Sequence, residues 1–308
     1  MRLRYFRGET SEPNFGDLLN ELIFPKLLPD CFDDDPEVEF IGIGSILGVM
    51  LREGAKFNKA VVFSTGYAAG KEDTYGAVPK LDERCDIICV RGPLTAKAIG
   101  VSEDLAVTDG AMLLRSMDLA LPSEKKYRVS YMPHMSTVAI FDWRHLCDDC
   151  GIHFIDPVTR DTRRVLEEIK ASELLLAEAM HGAIVADTLR VPWVPVVSNR
   201  TINDFKWRDW TSSLNLEYRP TRLETLFEGT ALRDAIGCRV PVMGGLASRA
   251  YGAYQKLLIE PRVRKRFSEL EHGARYLSEE RVLDEKVDQL LGKLEEFKRR
   301  YRVPATEA

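Results

Sequence analysis

Residues 174–196 read LLLAEAMHGAIVADTLRVPWVPV. ELLLAEAMHG (173–182) opens as an apolar run of strand length. AIVADTLR (183–190) follows at helical spacing, and VPWVPVV (191–197) is a second apolar run. Strand, helix and strand in that order predict a parallel βαβ unit covered on both faces. Glu178 and His181 stand where the first strand gives way to the helix. Ligands of such sheets bind beyond the carboxyl ends of the strands, so a carboxylate and an imidazole there mark a candidate site.

The alternation continues outward. YRVSYMPH (127–134) and STVAIFDWRHLCDDCG (136–151) predict a strand and a helix. IHFIDP (152–157) and TRDTRRVLEEIKAS (159–172) predict another pair, the helix capped by Thr159 or Asp161. RSMDLALPSEKKY (115–127) is polar, contains a proline and reads as a linker. Before it, RLRYFRG (2–8), EVEFIGIG (37–44), KAVVFSTG (59–66), DIICV (86–90) and DLAVTDGAMLL (104–114) predict strands. NFGDLLNELIFPKLL (14–28) predicts a helix that Pro25 kinks or ends. RGPLTAKAIG (91–100) predicts another, with Pro93 in its first turn and Gly100 as its stop.

VPWVPVV reads as the last strand, and the chain beyond about 222 as a helical tail. There Leu283, Val287, Leu290, Leu291, Leu294, Phe297 and Tyr301 repeat by four and three, behind Ser278 as candidate N-cap. The reading is α/β. An N-terminal domain (1–118) and a second domain (119–220) face each other across a cleft, and a helical C-terminal extension (221–308) packs back on the body.

Composition narrows the function classes. The net charge of −5 is spread along the chain and does not suit a duplex nucleic-acid binder. No apolar run reaches the roughly 20 residues of a membrane span. MRLRYFRGETSEPNFGD lacks the apolar middle of a signal peptide, so a cytoplasmic protein is expected. The six cysteines, including Cys147 and Cys150 in a CxxC and Cys85 and Cys89 in a CxxxC, then read as reduced thiols rather than a metal centre. PRVRKRF (261–267) is a solvated basic face or a contact for an anionic membrane surface, at about 1 kcal/mol per cation.

Polar residues gather at the predicted strand ends. The first group is Asn14, Gly16, Asp17 and Asn20, where a glycine beside a helix start admits an anion to free N–H groups; Asp17 is also a candidate N-cap. FIGIGSILG (40–48) falls short of a dinucleotide fingerprint, because Leu47 stands where the third glycine belongs; Gly42 and Gly44 read as a tight turn. Arg91 follows DIICV, with a fork suited to carboxylate or phosphate; its alternative is a salt bridge to Asp109. His134 and His181 each titrate near neutral pH. In SNRTINDFKWRDWTSSL (198–214), Asn203, Lys206, Trp207, Asp209 and Trp210 combine hydrogen-bonding groups with a face for a sugar ring; the alternative is a helix anchored by its two tryptophans.

In this order, NFGDLLN, VRGPLTAKAIGV, LAVTDGAMLL, YMPHMS, EAMHGAIVADTLRVPWVPV and FKWRDW resemble the polysaccharide pyruvyl transferase family, and within it the succinoglycan-type exopolysaccharide branch. The matching pieces cover most of residues 5–215. The resemblance implies two Rossmann-like domains facing a cleft, as in GT-B glycosyltransferases. It also implies transfer of pyruvate from phosphoenolpyruvate, a co-substrate with no further cofactor, to a lipid-linked saccharide unit, forming a cyclic ketal. Many members read Arg-Leu-His-Gly where this chain reads Ala179-Met180-His181-Gly182, so the donor-holding arginine is absent.

Ketal formation from phosphoenolpyruvate needs cations for carboxylate and phosphate, and a group titrating near the working pH. The expected catalytic residues are His181, His134 and Glu178, with Glu178 orienting His181 or raising its pKa. Arg91, Lys206 and Gly182 are expected at the donor. Asn14, Gly16, Asp17, Asn20, Asp109, Trp207 and Asp209 are expected at the acceptor or along the cleft, and no metal is expected. The acceptor is expected on the N-terminal domain and the donor on the second, with peripheral contact to the inner membrane. The rivals are a GT-B glycosyltransferase using a nucleotide sugar and a non-catalytic saccharide-binding component of polysaccharide assembly.

Overall fold

The structure, a computed structural model of the 308-residue chain, describes residues 1–6, 12–138, 140–199, 202–223 and 252–301. The expected tail between 224 and 251 lies outside the described residues. Two parallel sheets carry the fold. In the first, β1 (Arg2–Arg4), β2 (Val38–Ile41), β3 (Lys59–Phe63) and β4 (Cys85–Cys89) lie in sequence order. In the second, β5 (Ser130–Met132), β6 (His153–Phe154), β7 (Leu175–Ala177), β8 (Trp193–Val197) and β9 (Thr221–Arg222) take the order β6-β5-β7-β8-β9.

The helices are α1 (Phe15–Leu27), α2 (Leu47–Met50), α3 (Glu72–Tyr75), α4 (Pro93–Ile99), α5 (Met135–Val138) and α6 (Trp143–Cys150), followed by α7 (Thr162–Lys170), α8 (Met180–Thr188), α9 (Asp204–Ser213), α10 (Glu260–Glu271) and α11 (Glu280–Tyr301). Parallel strands alternating with covering helices make this an α/β fold consistent with Rossmann-like units.

Local hydrogen bonding moved several boundaries away from the apolar pattern. Pro25 lies in the last turn of α1, and the helix runs past it to Leu27 because the Leu28 N–H still reaches the Phe24 carbonyl at 2.8 Å. DLAVTDGAMLL contributes only a bridge between Val90 and Ala106. Asp109 then caps a 3-10 helix, Gly110–Ser116, by accepting from the Ala111 N–H at 3.0 Å, which draws the apolar run away from the sheet. The helix expected over 136–151 is broken, because Asp142 accepts from the His145 N–H and starts α6 afresh. VPWVPVV is followed by one more strand, β9. Ser278 is not a simple cap: its N–H donates to the buried Asp187 at 3.0 Å, and its hydroxyl donates there too.

The first sheet is filled by Phe24, Phe40 and Phe63, with Phe24 edge-on to Phe40 at 4.9 Å. α11 covers this cluster through Phe297, whose ring lies 5.3 Å from Phe40. α10 instead packs on the second sheet's side, placing Phe267 5.2 Å from Tyr131.

α9 lies between β8 and β9 of the second sheet in sequence but packs on α4 of the first. The anchor is a buried ion pair. Arg91 Nε donates to Asp209 Oδ2 at 3.0 Å, and neither side chain is exposed. Asp209 also accepts from the Thr95 N–H at 2.8 Å and the Thr95 hydroxyl at 2.6 Å. The remaining Arg91 donors go to the Ser45 hydroxyl and the Tyr67 carbonyl. Gly92 permits the approach, since a Cβ there would overlap the Asp209 backbone. Removing one partner strands the other as an uncompensated buried charge. Asp209→Ala is therefore expected to lower unfolding free energy by about 3–5 kcal/mol in urea titrations, more than any single surface ion pair.

Candidate functional site

A cavity of about 460 Å³ is walled by the loops after the strands of both sheets and by the N-termini of α1 and α8. Asn14, Asp17, His134, Ala179, His181 and Lys206 line it. A wider groove of about 790 Å³ adjoins it, shares Asn14, Asp17, Thr74 and Met135, and is bordered by Arg52 and Arg160.

The α1 side is built by a cap. Asn14 accepts from the Gly16 N–H at 3.2 Å and donates from Nδ2 to Asp17 Oδ2 at 2.7 Å. Asn14, not Asp17, is thus the N-cap, and the Asp17 carboxyl is left pointing into the cavity. Burial pushes its pKa up to about 6, against the opposing pull of His181, Asn14 and Lys206. Gly16 is required by sterics: a Cβ there would overlap the His181 ring at Nδ1. The imidazole thus lies directly against the start of α1.

α8 begins at Met180, so His181 occupies its first turn rather than a strand end. Its Nε2 lies 3.8 Å from Asp109 Oδ2. Both atoms are buried and neither has a hydrogen-bond partner among the described residues. Asp109 belongs to the cap of the 3-10 helix, which packs on α8. The carboxylate facing His181 is therefore Asp109.

Glu178 was expected to orient His181, and it does not. It is fully buried and accepts four hydrogen bonds: from the His134 N–H (3.0 Å) and the Thr137 hydroxyl (2.6 Å) on one oxygen, and from the Ser198 N–H and hydroxyl (both 2.6 Å) on the other. It ties together the ends of β5, β7 and β8 and so positions the loops that carry the site.

His134 is half-buried, with Nδ1 2.8 Å from the Ser136 hydroxyl. Desolvation and the nearby charges of Lys206 and Lys71 lower its pKa to about 3, so it is a neutral imidazole at physiological pH. Lys206 reaches the cavity from α9. Its Nζ donates to the Tyr75 hydroxyl at 3.1 Å and lies 4.7 Å from the centre of that ring. Among the described residues it forms no ion pair, so its charge remains available to an anion.

Other expected site residues are built into the scaffold. Arg91 pairs with Asp209 rather than Asp109, and its buried, fully engaged guanidinium is not open to a donor. Asp209 is withdrawn from the cleft by the same pair. Asn20 is fully buried, with its amide bonded to Asp17 O, Ile43 O and the Ile43 N–H. Trp207 does line the cavity, although it is only 1% exposed, stacks on Tyr218 and sits in a cluster with Trp193 and Trp210. Gly182 packs against Met132, whose Sδ a Cβ there would overlap, and does not line the cavity. Ala179 does line the cavity, at the place of the missing arginine.

Tyr75 is a site residue with no signal in the sequence. It lies in a four-residue helix of a polar loop, and only the fold brings it under Lys206. Among the described residues, no three His, Cys, Asp or Glu side chains cluster to hold a metal ion. Nor is any described helix long and apolar enough to cross a membrane.

A buried acid, two imidazoles and a cation with no ion pair among the described residues thus gather around a cavity between two parallel sheets. The family model of polysaccharide pyruvyl transferases matches residues 14–200, and the chain belongs to that family. It is 36% identical over 235 residues to the succinoglycan biosynthesis protein ExoV of Rhizobium meliloti (strain 1021), covering 74% of this chain and 72% of that protein. Membership carries pyruvyltransferase-type activity on polysaccharide.

The Asp17 carboxyl also sets a pH dependence. A carboxyl whose folded pKa is raised keeps its proton while the unfolded chain ionises, so stability falls as pH rises from about 4 to about 6 and then levels off. Asp17→Asn is expected to abolish this decline of up to about 3 kcal/mol, measured by urea unfolding at pH 4, 5, 6 and 7.

Proposed function

We propose that the protein transfers pyruvate from phosphoenolpyruvate to two hydroxyls of one sugar in a lipid-linked exopolysaccharide or capsular unit, forming a cyclic ketal across a GT-B-like cleft. The observation that carries this reading is the unpaired Lys206 cation in the same cavity as Asp17 and His181. The family match supports the transferred group and the class of acceptor.

The chemistry divides among the residues present. Phosphoenolpyruvate brings a carboxylate and a phosphate, which Lys206 draws into the cavity in place of the arginine absent at Ala179. Asp17, protonated up to about pH 6, is placed to give a proton to the methylene carbon, converting it to methyl and leaving an oxocarbenium-like centre at the adjacent carbon. A sugar hydroxyl adds there and His181 takes its proton. The carbon–oxygen bond to phosphate then breaks, with the electron pair leaving on phosphate. A second hydroxyl adds to the same carbon, and its proton is carried off with the phosphate. Neutral His134 offers a hydrogen bond rather than a charge.

The wider groove accommodates the acceptor beside this centre, with Asn14 and Asp17 at the junction. The acceptor's lipid would hold the protein peripherally at the cytoplasmic face of the membrane.

The reading is tested by incubating the protein with phosphoenolpyruvate and saccharide acceptors. Acceptor-dependent phosphate release together with an acid-labile pyruvate on the sugar is expected. UDP release from a UDP-sugar without phosphate release would overturn it. His181→Ala is expected to lower kcat by about 10²–10⁴-fold while circular dichroism stays unchanged. Lys206→Met is expected to raise the KM for phosphoenolpyruvate by about 10–100-fold, the loss of one charge-assisted contact, with a smaller change in acceptor KM.

A further inference from the structure

We infer that Asp109 is the positioning residue of His181: it holds the proton of that imidazole on Nε2 and so makes Nδ1 the atom that exchanges protons in the cavity. The inference rests on the pyruvyl-transfer reading only for its kinetic consequence.

The geometry of the two nitrogens differs. Nε2 is buried, lacks any hydrogen-bond partner among the described residues, and is 3.8 Å from Asp109 Oδ2, a buried carboxylate oxygen equally without a partner. An unpaired buried donor and an unpaired buried acceptor each carry a desolvation cost, which one hydrogen bond between them removes. Asp109 cannot turn away, because its other oxygen is engaged by the Ala111 N–H at 3.0 Å. Ionised Asp109 only accepts, so the neutral imidazole facing it carries its proton on Nε2.

The second nitrogen lies on the opposite edge. Nδ1 packs against Gly16, taking the place a Cβ there would fill, and His181 lines the cavity. Nδ1 is therefore the nitrogen left outside the Asp109 contact, at the cavity wall beside Gly16. The other charged or titratable groups around the ring are Asp17 from α1, Lys206 from α9 and His134 after β5. Glu178 is saturated by four donors and takes no part. When Nδ1 gains a proton, the imidazolium lies between Asp109 and Asp17. Asp109 stabilises it from the first sheet's side of the molecule although His181 belongs to a helix of the second. The dyad is thus complete only when the two units are docked.

The tautomer is directly measurable. In protein labelled with ¹⁵N-histidine, long-range proton–nitrogen spectra identify which ring nitrogen carries hydrogen, and His181→Gln assigns the signals. Wild type is expected to show the Nε2–H form at pH values where the ring is neutral. Asp109→Asn keeps an oxygen for the Ala111 N–H but turns an amide N–H toward Nε2. It is expected to move the proton to Nδ1 and reduce kcat by about 10²-fold or more with little change in the KM for phosphoenolpyruvate. Glu178→Gln is expected to leave the tautomer unchanged.

An Nδ1–H form in wild type overturns the inference and requires no variant to fold. So does an unchanged tautomer in folded Asp109→Asn. If the tautomer behaves as expected but phosphoenolpyruvate is not consumed by the wild type with any acceptor, the dyad stands and the pyruvyl-transfer reading fails.

Discussion

The structure depends on one desolvated charge pair. Arg91 and Asp209 are separated by 118 residues, fully buried, and bonded at 3.0 Å. A buried pair gains little over an apolar contact of the same shape, but losing half of it is severe, because the remaining charge has no water to turn to. The pair therefore acts as a specificity device. It fixes α9 on α4, and Thr95 completes the coordination of Asp209. Three residues before Asp209 on the same helix is Lys206, the cation of the cavity. The position of that charge is set by a salt bridge that takes no part in the chemistry.

Glu178 plays the corresponding part in the second sheet. Four donors converge on one carboxylate, from the loop after β5, from α5 and from the residue after β8. Successive parallel strands end at the same level, and their loops carry unpaired N–H groups that need an acceptor. Glu178 meets that need where three strand ends converge. His134 and His181 are held on either side of it, so its influence on them is through the backbone.

The site divides its work between groups whose environments differ. Asp17 is buried with one neutral hydrogen-bond donor and holds its proton to about pH 6. His134, near two lysines, loses its charge. Lys206 rests on an aromatic hydroxyl and ring, which stabilise the ammonium without neutralising it. A protonated carboxyl, a neutral imidazole and a cation with no ion pair among the described residues arise from neighbouring residues through burial and charge spacing.

Much of this was legible in the sequence. Apolar runs of strand length alternating with helical periods determined the parallel α/β fold, strand-end positions marked Asp17, His134 and His181, because side chains there face the ligand side of any such sheet, and the polar segment after the last predicted strand marked Lys206. What the sequence could not carry was pairing at long range. Arg91, Asn20, Glu178 and Asp209 sit at predicted strand ends or beyond them and look as available as His181, yet each is consumed by a partner 3 to 118 residues away. Asp109, expected at the acceptor or along the cleft with a salt bridge to Arg91 as the alternative, instead faces His181. Tyr75 had no pattern at all. Periodicity is a local property and survives in one dimension. Whether a polar group is satisfied or free depends on which distant donor the packed chain brings within about 3 Å, and only the tertiary structure decides that.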